Sequence, residues 1–368
     1  MRLRYKILCA ILALVAVGLV SLAVVASHDS PCGPVHSLPS DAKRMKAIVH
    51  RCYGSPEVLK LEDVEKPTTA ANQVLIKVHA ASVNPLDWHY LRGTPYILRL
   101  DAGIGVPDNP WLGVDFAGTV EAVGSDVKRF KPGDEVFGGR TGAFAEYVTV
   151  REDRALVLKP TNASFEQAAA VPIAGVTALQ ALRDKGRVQP GQKVLINGAS
   201  GGVGTFAVQV AKSYGAEVTG VCSTRNVEMV RSLGADHVID YTREDFTQGE
   251  RRYDLIVDMV GNHPLLEYRR VMTPKGILVV VGGPSDDPWL GPLVTFIKAL
   301  MLSPFVSQNF VPIVAELNPG DLTLLRELMQ AGKVKAVIDR RYPLSEVPAA
   351  IEYVEAGHAR GKVVISLD

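Results

Sequence analysis

Cysteine is scarce in this sequence. Four occur in 368 residues, at Cys9, Cys32, Cys52 and Cys222, widely spaced and with no CxxC pair. Neither a disulfide framework nor a zinc cluster is expected from that pattern. An excess of either charge is also lacking, since 40 Lys and Arg stand against 39 Asp and Glu for a net +1. No basic stripe with interleaved aromatics appears, so a nucleic-acid partner is not expected. Long apolar runs are missing with one exception, the uncharged stretch Ile7–Ala26 behind Arg2, Arg4 and Lys6. Residues 7–26 are long enough to span a bilayer, and longer than the core of a signal peptide. Residues 1–27 are therefore expected to be a membrane anchor of one N-terminal helix. Cleavage at Val24-Val25-Ala26 and export is the alternative, and the side of the membrane stays open. Residues 28–44, rich in Pro, Ser and Gly, read as a linker.

The length suggests two domains. The first, 45–167, is punctuated by Gly and Pro and reads as short strands: Lys46–Cys52, Gln73–Ala80, Val114–Val123, Glu135–Phe137 and Phe144–Val150. From about Ala168 the pattern changes. Apolar runs at Val194-Leu195-Ile196, Glu217–Cys222, His237–Ile239, Asp254–Asp258 and Ile277–Val281 alternate with helical stretches such as Val227–Leu233 and Pro264–Met272. Alternation of this kind predicts a doubly wound parallel sheet, assigned to 168–318. Trp289–Ala315 reads either as a packed helix and strand or as a substrate wall or dimer surface. Residues 319–368 hold an amphipathic helix, Asp321–Ala331, and then short strands that return to the first domain.

The run Val194–Asn197 ends in Gly198-Ala199-Ser200-Gly201-Gly202-Val203-Gly204 and leads straight into a helical pattern. This is the dinucleotide fingerprint with alanine at its first position. Ala199 is read as the tight turn, Gly201 as the point of pyrophosphate approach and Gly204 as the helix–strand contact. Free N–H groups at the helix start would face phosphates. A second absence then selects the cofactor. NAD sites usually carry an acid about 20 residues past the glycines. Here the corresponding strand ends in Ser223-Thr224-Arg225-Asn226. Hydroxyls and a guanidinium suit a 2′-phosphate, which favours NADPH; Ser223 and Thr224 also read as caps of the next helix.

In combination, several motifs resemble the medium-chain dehydrogenase/reductases, and among them the zinc-free quinone oxidoreductase-like branch. They are Tyr53–Leu59, Ala81-Ser82-Val83-Asn84-Pro85-Leu86-Asp87, Leu112–Gly118, Lys131–Val136, Asn197–Gly204 and Gly361-Lys362-Val363-Val364. The resemblance covers Met45–Asp368. It implies a GroES-like β domain interrupted by a Rossmann domain, with the active site between them and a homodimer as the common assembly. Zinc-dependent relatives have a cysteine where Asn84 stands and a histidine where Val114 stands, so no zinc is expected.

Hydride transfer from NADPH to a quinone or an α,β-unsaturated carbonyl is the chemistry this implies. An alcohol dehydrogenase or carbonyl reductase is the alternative, as is a non-catalytic NADPH-binding protein tethered to a membrane. The resemblance puts Asn84 at the cleft as a candidate oxyanion donor, with Tyr90 as a phenolic candidate or a wall residue, and His89 beside it. It further implies cofactor contacts at Thr177, Ala199, Gly201, Gly202, Val203, Gly204, Ser223, Arg225 and Tyr241. Val260, Gly261, Gly282 and Gly283 at strand ends, and Lys362 of the terminal Gly-Lys pair, complete the set.

Overall fold

The computed structural model describes residues 5, 17–18, 20–34, 38–284 and 286–367. An antiparallel ribbon of β1 (Arg44–Val49) and β2 (Lys60–Glu65) opens the first domain. Strand β3 (Gln73–Val83) is buried along nearly its whole length and is the spine of a seven-stranded sheet. Helix α1 (Pro85–Arg92) follows it directly. Proline at the first turn fits the free N–H position there, and Gly93 at φ +59 ends the helix. The sheet continues through β4 (Asp115–Val123), β5 (Glu135–Gly139), β6 (Tyr147–Arg151) and β7 (Leu156–Leu158).

Helix α2 (Pro172–Gln180) leads into the second sheet. There β8 (Lys193–Asn197), α3 (Gly202–Ser213), β9 (Glu217–Cys222), β10 (His237–Asp240), β11 (Tyr253–Asp258), β12 (Met272–Val280), α4 (Leu293–Leu302) and β13 (Asn309–Pro312) follow in turn. The six strands run parallel in the order β10-β9-β8-β11-β12-β13. Helices on both faces explain why Val194, Leu195 and Ile196 are all buried, without alternation. The chain then runs through α5 (Pro319–Gln330), β14 (Ile338–Pro343), α6 (Val347–Glu355) and β15 (Lys362–Ser366). Strand β15 pairs antiparallel with β3, so the C-terminal segment completes the first sheet.

Differences from the sequence expectations are local. The stretch Trp289–Ala315 folds as a helix and a strand, α4 and β13. The expected helix Pro264–Met272 stops early, and Met272 instead opens β12 by pairing with Tyr253. The strand expected at Phe144 begins only at Tyr147, and α6 falls in a region read as strands.

Two expectations at the N-terminus are corrected. Most of the stretch 7–26 lies outside the described residues; 17–18 and 20–27 are helical. Among the described residues no helix is long and apolar enough to cross a membrane, which contradicts the expected membrane anchor. The residues just after it are docked on the β domain. Buried Arg99 donates to the carbonyls of Ala26 (3.2 Å) and His28 (3.1 Å) and pairs with Asp29 at 2.8 Å. Its guanidinium also lies over the rings of Tyr53 and Tyr96. This clamp carries the segment past β1, where Cys32 forms a disulfide with Cys52. Spacing alone gave no sign of that pair; Arg99, 47 positions beyond Cys52, contacts residues 26, 28 and 29 on one side of it and the Tyr53 ring on the other.

Candidate active site

The strand order turns outward in opposite directions from β8 and β11, which makes their C-terminal ends the switch point where ligands lie in such sheets. A buried polar network fixes this point. Asn197 at the end of β8 donates to Asp258 Oδ1 (2.8 Å) and to Asn262 (2.9 Å). Asp258 also accepts the N–H groups of Val260 and Gly261 and the hydroxyl of Tyr268. The turn that leaves β8 is made at Gly198, with φ +87, rather than at Ala199. Gly204 is required for a different reason: a Cβ there would sit 2.0 Å from the Gly198 carbonyl oxygen. Helix α3 thus starts against β8 with its first N–H groups free of helical partners.

Across from this turn stands the β domain, and between them runs a cleft of ≈ 760 Å³. Of the residues expected at the cofactor, Thr177, Gly201, Gly202, Val203, Gly204, Tyr241, Val260, Gly282, Gly283 and Lys362 line it. Thr177 is on the cleft wall, with its hydroxyl donating to the Ile173 carbonyl within α2. Four others stand off the cleft surface. Ala199 is buried under the turn, and Gly261 packs against Gly283. Ser223 and Arg225 lie just past Cys222, which does line the cleft. Ser223 Oγ accepts from Asn226, and exposed Arg225 donates to the His358 carbonyl at 3.0 Å. Asn197, Met259 and Asn262 line the cleft without having been singled out; Asn197 stands one step beyond the apolar run of β8, Met259 one residue past β11, and Asn262 four residues past it.

The β-domain wall holds a buried ionic cluster. Lys362, 3% exposed, donates to the Val83 carbonyl (3.1 Å) and to Asn84 Oδ1 (2.5 Å), and lies 3.5 Å from Asp115. Asn84 Nδ2 donates to the same Asp115 oxygen at 2.9 Å, joined by Ser82 Oγ at 3.0 Å. The other Asp115 oxygen accepts the N–H of Ile173, on α2. Asp87, below, accepts the N–H groups of Asn84 (2.7 Å) and Gly113 (3.0 Å). Both ends of the Asn84 amide are therefore engaged within the wall. Asn84 lines the cleft, and its amide is hydrogen-bonded to Lys362 and Asp115.

Burial dominates the ionisation of this cluster. It raises Asp115 and lowers Lys362, and it pushes Asp87 up to about 7. The folded value of Asp87 lies above that of an unfolded aspartate. Its contribution to stability is therefore full below about pH 4 and is lost as pH rises through 7. Thermal melts between pH 5 and 8 should show this as a decline of about 1 kcal/mol per pH unit at most, levelling off above neutrality. Asp87→Asn should flatten that decline. Parallel pH dependences in the two proteins would show that Asp87 is ionised throughout.

Tyr90 is not with Asn84. It lines a second, smaller cavity on the other side of α1, and Leu86 lines both. His89 does line the main cleft, with Nδ1 2.7 Å from the Thr94 carbonyl. Burial lowers its pKa, so at neutral pH it is an uncharged imidazole.

A glycine turn at the switch point of a parallel sheet, facing a β domain across a cleft, defines a two-domain oxidoreductase of the nicotinamide-dependent kind. Comparison with known proteins is consistent across both domains. The chain matches the alcohol dehydrogenase GroES-like domain over residues 70–161 and the zinc-binding dehydrogenase model over 233–365. It is 36% identical over 366 residues to the chloroplastic NADPH-dependent alkenal/one oxidoreductase of Arabidopsis thaliana, covering 94% of this chain and 86% of that one. The quinone oxidoreductase of Coxiella burnetii superposes with a TM-score of 0.78 at 34% identity, over 89% of this chain and 100% of that structure. Escherichia coli quinone oxidoreductase, solved with NADPH, gives 0.75 at 26% identity, over 88% and 100%. The chain belongs to the medium-chain dehydrogenase/reductase family, among its quinone oxidoreductase-like members.

Although one matching model carries zinc in its description, the residues here do not suit that metal. Val114 has no donor atom, and the Asn84 amide is held by Lys362 and Asp115. Among the described residues no group of three or more His, Cys, Asp or Glu is placed to hold a metal ion.

Proposed function

We propose that this protein is an NADPH-dependent reductase of quinones and α,β-unsaturated carbonyls. The observation that carries the reading is the cleft itself, with the phosphate-type turn on one wall and, opposite, a wall braced by the buried Lys362–Asp115 pair and the Asn84 amide. The names of the relatives agree with it in both cofactor and acceptor. When bound, a reduced nicotinamide supplies a hydride to a conjugated acceptor.

The chain's own contribution is binding and positioning. Gly201, Gly202 and Val203 offer backbone at the start of α3 for a pyrophosphate. Behind that turn Asn226 ties Ser200 to Ser223 through Nδ2. Tyr241 walls the ribose region. Val260, Gly282 and Gly283 edge the place of the ring, where small residues permit close approach. Asn84 is a positioning residue that locks Lys362 and Asp115 in register, and Arg225 stands where a 2′-phosphate is read. Conjugated acceptors delocalise the charge they receive, so the reaction makes little demand for a Lewis acid.

The test follows nicotinamide absorbance with the full chain, an ortho-quinone and an aryl enone, in chelator, with NADPH and NADH in parallel. Oxidation of NADPH much faster than NADH supports the reading. Equal rates would overturn the choice of cofactor. Turnover of simple aldehydes in preference to both acceptors would favour the carbonyl reductase alternative.

A further inference from the structure

Residues 26–33 lie along the β domain ahead of β1 and are fastened at two points. At one, Cys32 is joined to Cys52. At the other, Arg99 holds the carbonyls of Ala26 and His28 and pairs with Asp29. Between the two, the Ser30 N–H donates to the Gly105 carbonyl at 3.0 Å, and the Gly33 N–H to that of Arg51 at 3.1 Å. Arg99 is buried, 2% exposed. A buried guanidinium that loses its counter-charge is unfavourable, so its seat depends on this strap.

The same arginine supports a contact with the second domain. Its Nε donates to the Gly93 carbonyl at 2.8 Å, and its guanidinium lies 4.8 Å from the centre of the Tyr96 ring. Tyr96 and Ile97 donate their N–H groups to the carbonyls of Pro288 (2.8 Å) and Trp289 (3.1 Å). The Tyr96 ring meets the Trp289 indole edge-on at 5.0 Å. Pro288 and Trp289 belong to the connection between β12 and α4, and Gly282, Gly283 and Pro292 of that connection line the cofactor cleft. Residues 96–97 therefore join the two domains beside the cleft, and Arg99 ties that joint to the strap.

The disulfide governs how firmly the strap is held. Cys32 is three positions from Asp29, whereas Arg44, where β1 begins, is fifteen positions from it. The effective concentration of a tethered group falls roughly as the −3/2 power of tether length, so opening the disulfide lowers that of Asp29 at Arg99 by about tenfold. Cys32 is an exposed residue and Cys52 a buried one, so a reductant meets the bond from the Cys32 side.

We propose that residues 26–33 are a redox-released strap whose removal unlatches the two domains at the Tyr96–Trp289 joint and speeds exchange of the cofactor. A dithiol opens it. One thiolate of the dithiol attacks Cys32 Sγ and expels Cys52 as a thiolate, and the second displaces Cys32 from the mixed disulfide. The dithiol is oxidised to its own disulfide. Two electrons pass to the protein, and the two protons given up end on Cys32 and Cys52. Without Asp29 and the two carbonyls, the guanidinium turns to water and leaves the Tyr96 ring. The inference rests on the cleft taking a nicotinamide cofactor, and not on the choice of acceptor.

Hydrogen exchange of the full-length protein, with and without dithiothreitol, tests the latch, with reduction of the bond checked by maleimide labelling. On reduction, exchange across 26–33 should quicken by about tenfold, and peptides spanning 94–102 and 287–292 should quicken with it. The dissociation rate of NADPH, followed by its fluorescence, should rise by the same factor at most. Cys32→Ser without reductant should match the reduced protein and should not respond to dithiothreitol. Trp289→Ala breaks the joint from its other end and should release NADPH fast in both redox states.

A bond that stays oxidised in the native protein under dithiothreitol would overturn the proposal. So would quickened exchange confined to 26–33, or NADPH release that reduction leaves unchanged. Failure to bind NADPH in either state strikes the cofactor reading instead, and coupled exchange of the three segments then still supports the latch.

Discussion

Lys362→Met is expected to lower the melting temperature by roughly 6–10 °C, the equivalent of about 3–5 kcal/mol for breaking a buried ion pair. The substitution keeps the aliphatic stem, which passes within 3.2 Å of where a Cβ on Gly202 would lie. It removes only the ammonium. Asp115 then stays fully buried with an amide and a hydroxyl as its side-chain donors and no cation. Asn84 Oδ1 loses its donor at the same time. The effect should reach the cofactor, because Gly361 donates to the Ser200 carbonyl at 2.9 Å and forms a β-bridge with Gly201. A rise in KM for NADPH should therefore accompany the loss of stability.

A double-mutant cycle with Asp115→Asn separates charge from packing. If the cluster is held together by the Lys362–Asp115 attraction, removing both charges should cost less than the sum of the single changes. Additive losses in thermal melts would show instead that Lys362 acts through its stem alone. Lys362→Arg is not expected to rescue, because a guanidinium is bulkier than the ammonium enclosed by Val83, Asn84 and Asp115.

How much of this was legible in the sequence depends on the range of the interaction. The Val194–Ile196 run and the small residues after it are local signals, and they identify the sheet, the turn and one wall of the cleft. Lys362 was marked through the terminal Gly-Lys motif. Its partner Asp115 lies 247 positions away in sequence, and no local pattern joins the two. The antiparallel pairing of β15 with β3 creates that contact.

The same reasoning explains Tyr90. Leu86 and Tyr90 are four apart on α1 and face the second cavity together. Asn84, just before the helix, faces the cleft instead. Helical spacing therefore argued against grouping Tyr90 with Asn84 as one catalytic pair. The Cys32–Cys52 disulfide had no local signature, since its two cysteines are 20 positions apart and meet only where the segment before β1 lies against the β domain.

Arg225→Gln is expected to raise KM for NADPH by about 10- to 100-fold, the range for losing a hydrogen-bonded charge at a phosphate, and to leave KM for NADH nearly unchanged. One feature opposes the choice of NADPH. Asp240 ends β10, directly beside Cys222 on β9, and supplies the carboxylate that the end of β9 lacks. Its oxygens, however, are already engaged. Thr224 Oγ1 donates to one at 2.6 Å, Thr242 donates to the other through both N–H and hydroxyl, and Arg243 lies 3.4 Å away. A carboxylate held by two threonines and neutralised by an arginine is a poor partner for a free ribose 2′-hydroxyl. Arg225 is exposed and donates to the His358 carbonyl, a contact it can exchange for a phosphate.

The two residues thus make opposite forecasts. If Arg225 reads the 2′-phosphate, its loss collapses the preference for NADPH, and Asp240→Asn leaves the preference in place. If Asp240 reads the ribose, Asp240→Asn weakens NADH binding and Arg225→Gln changes little. KM for both cofactors in both variants, at low and high salt, decides between them. The Arg225 effect should shrink as salt screens an exposed charge.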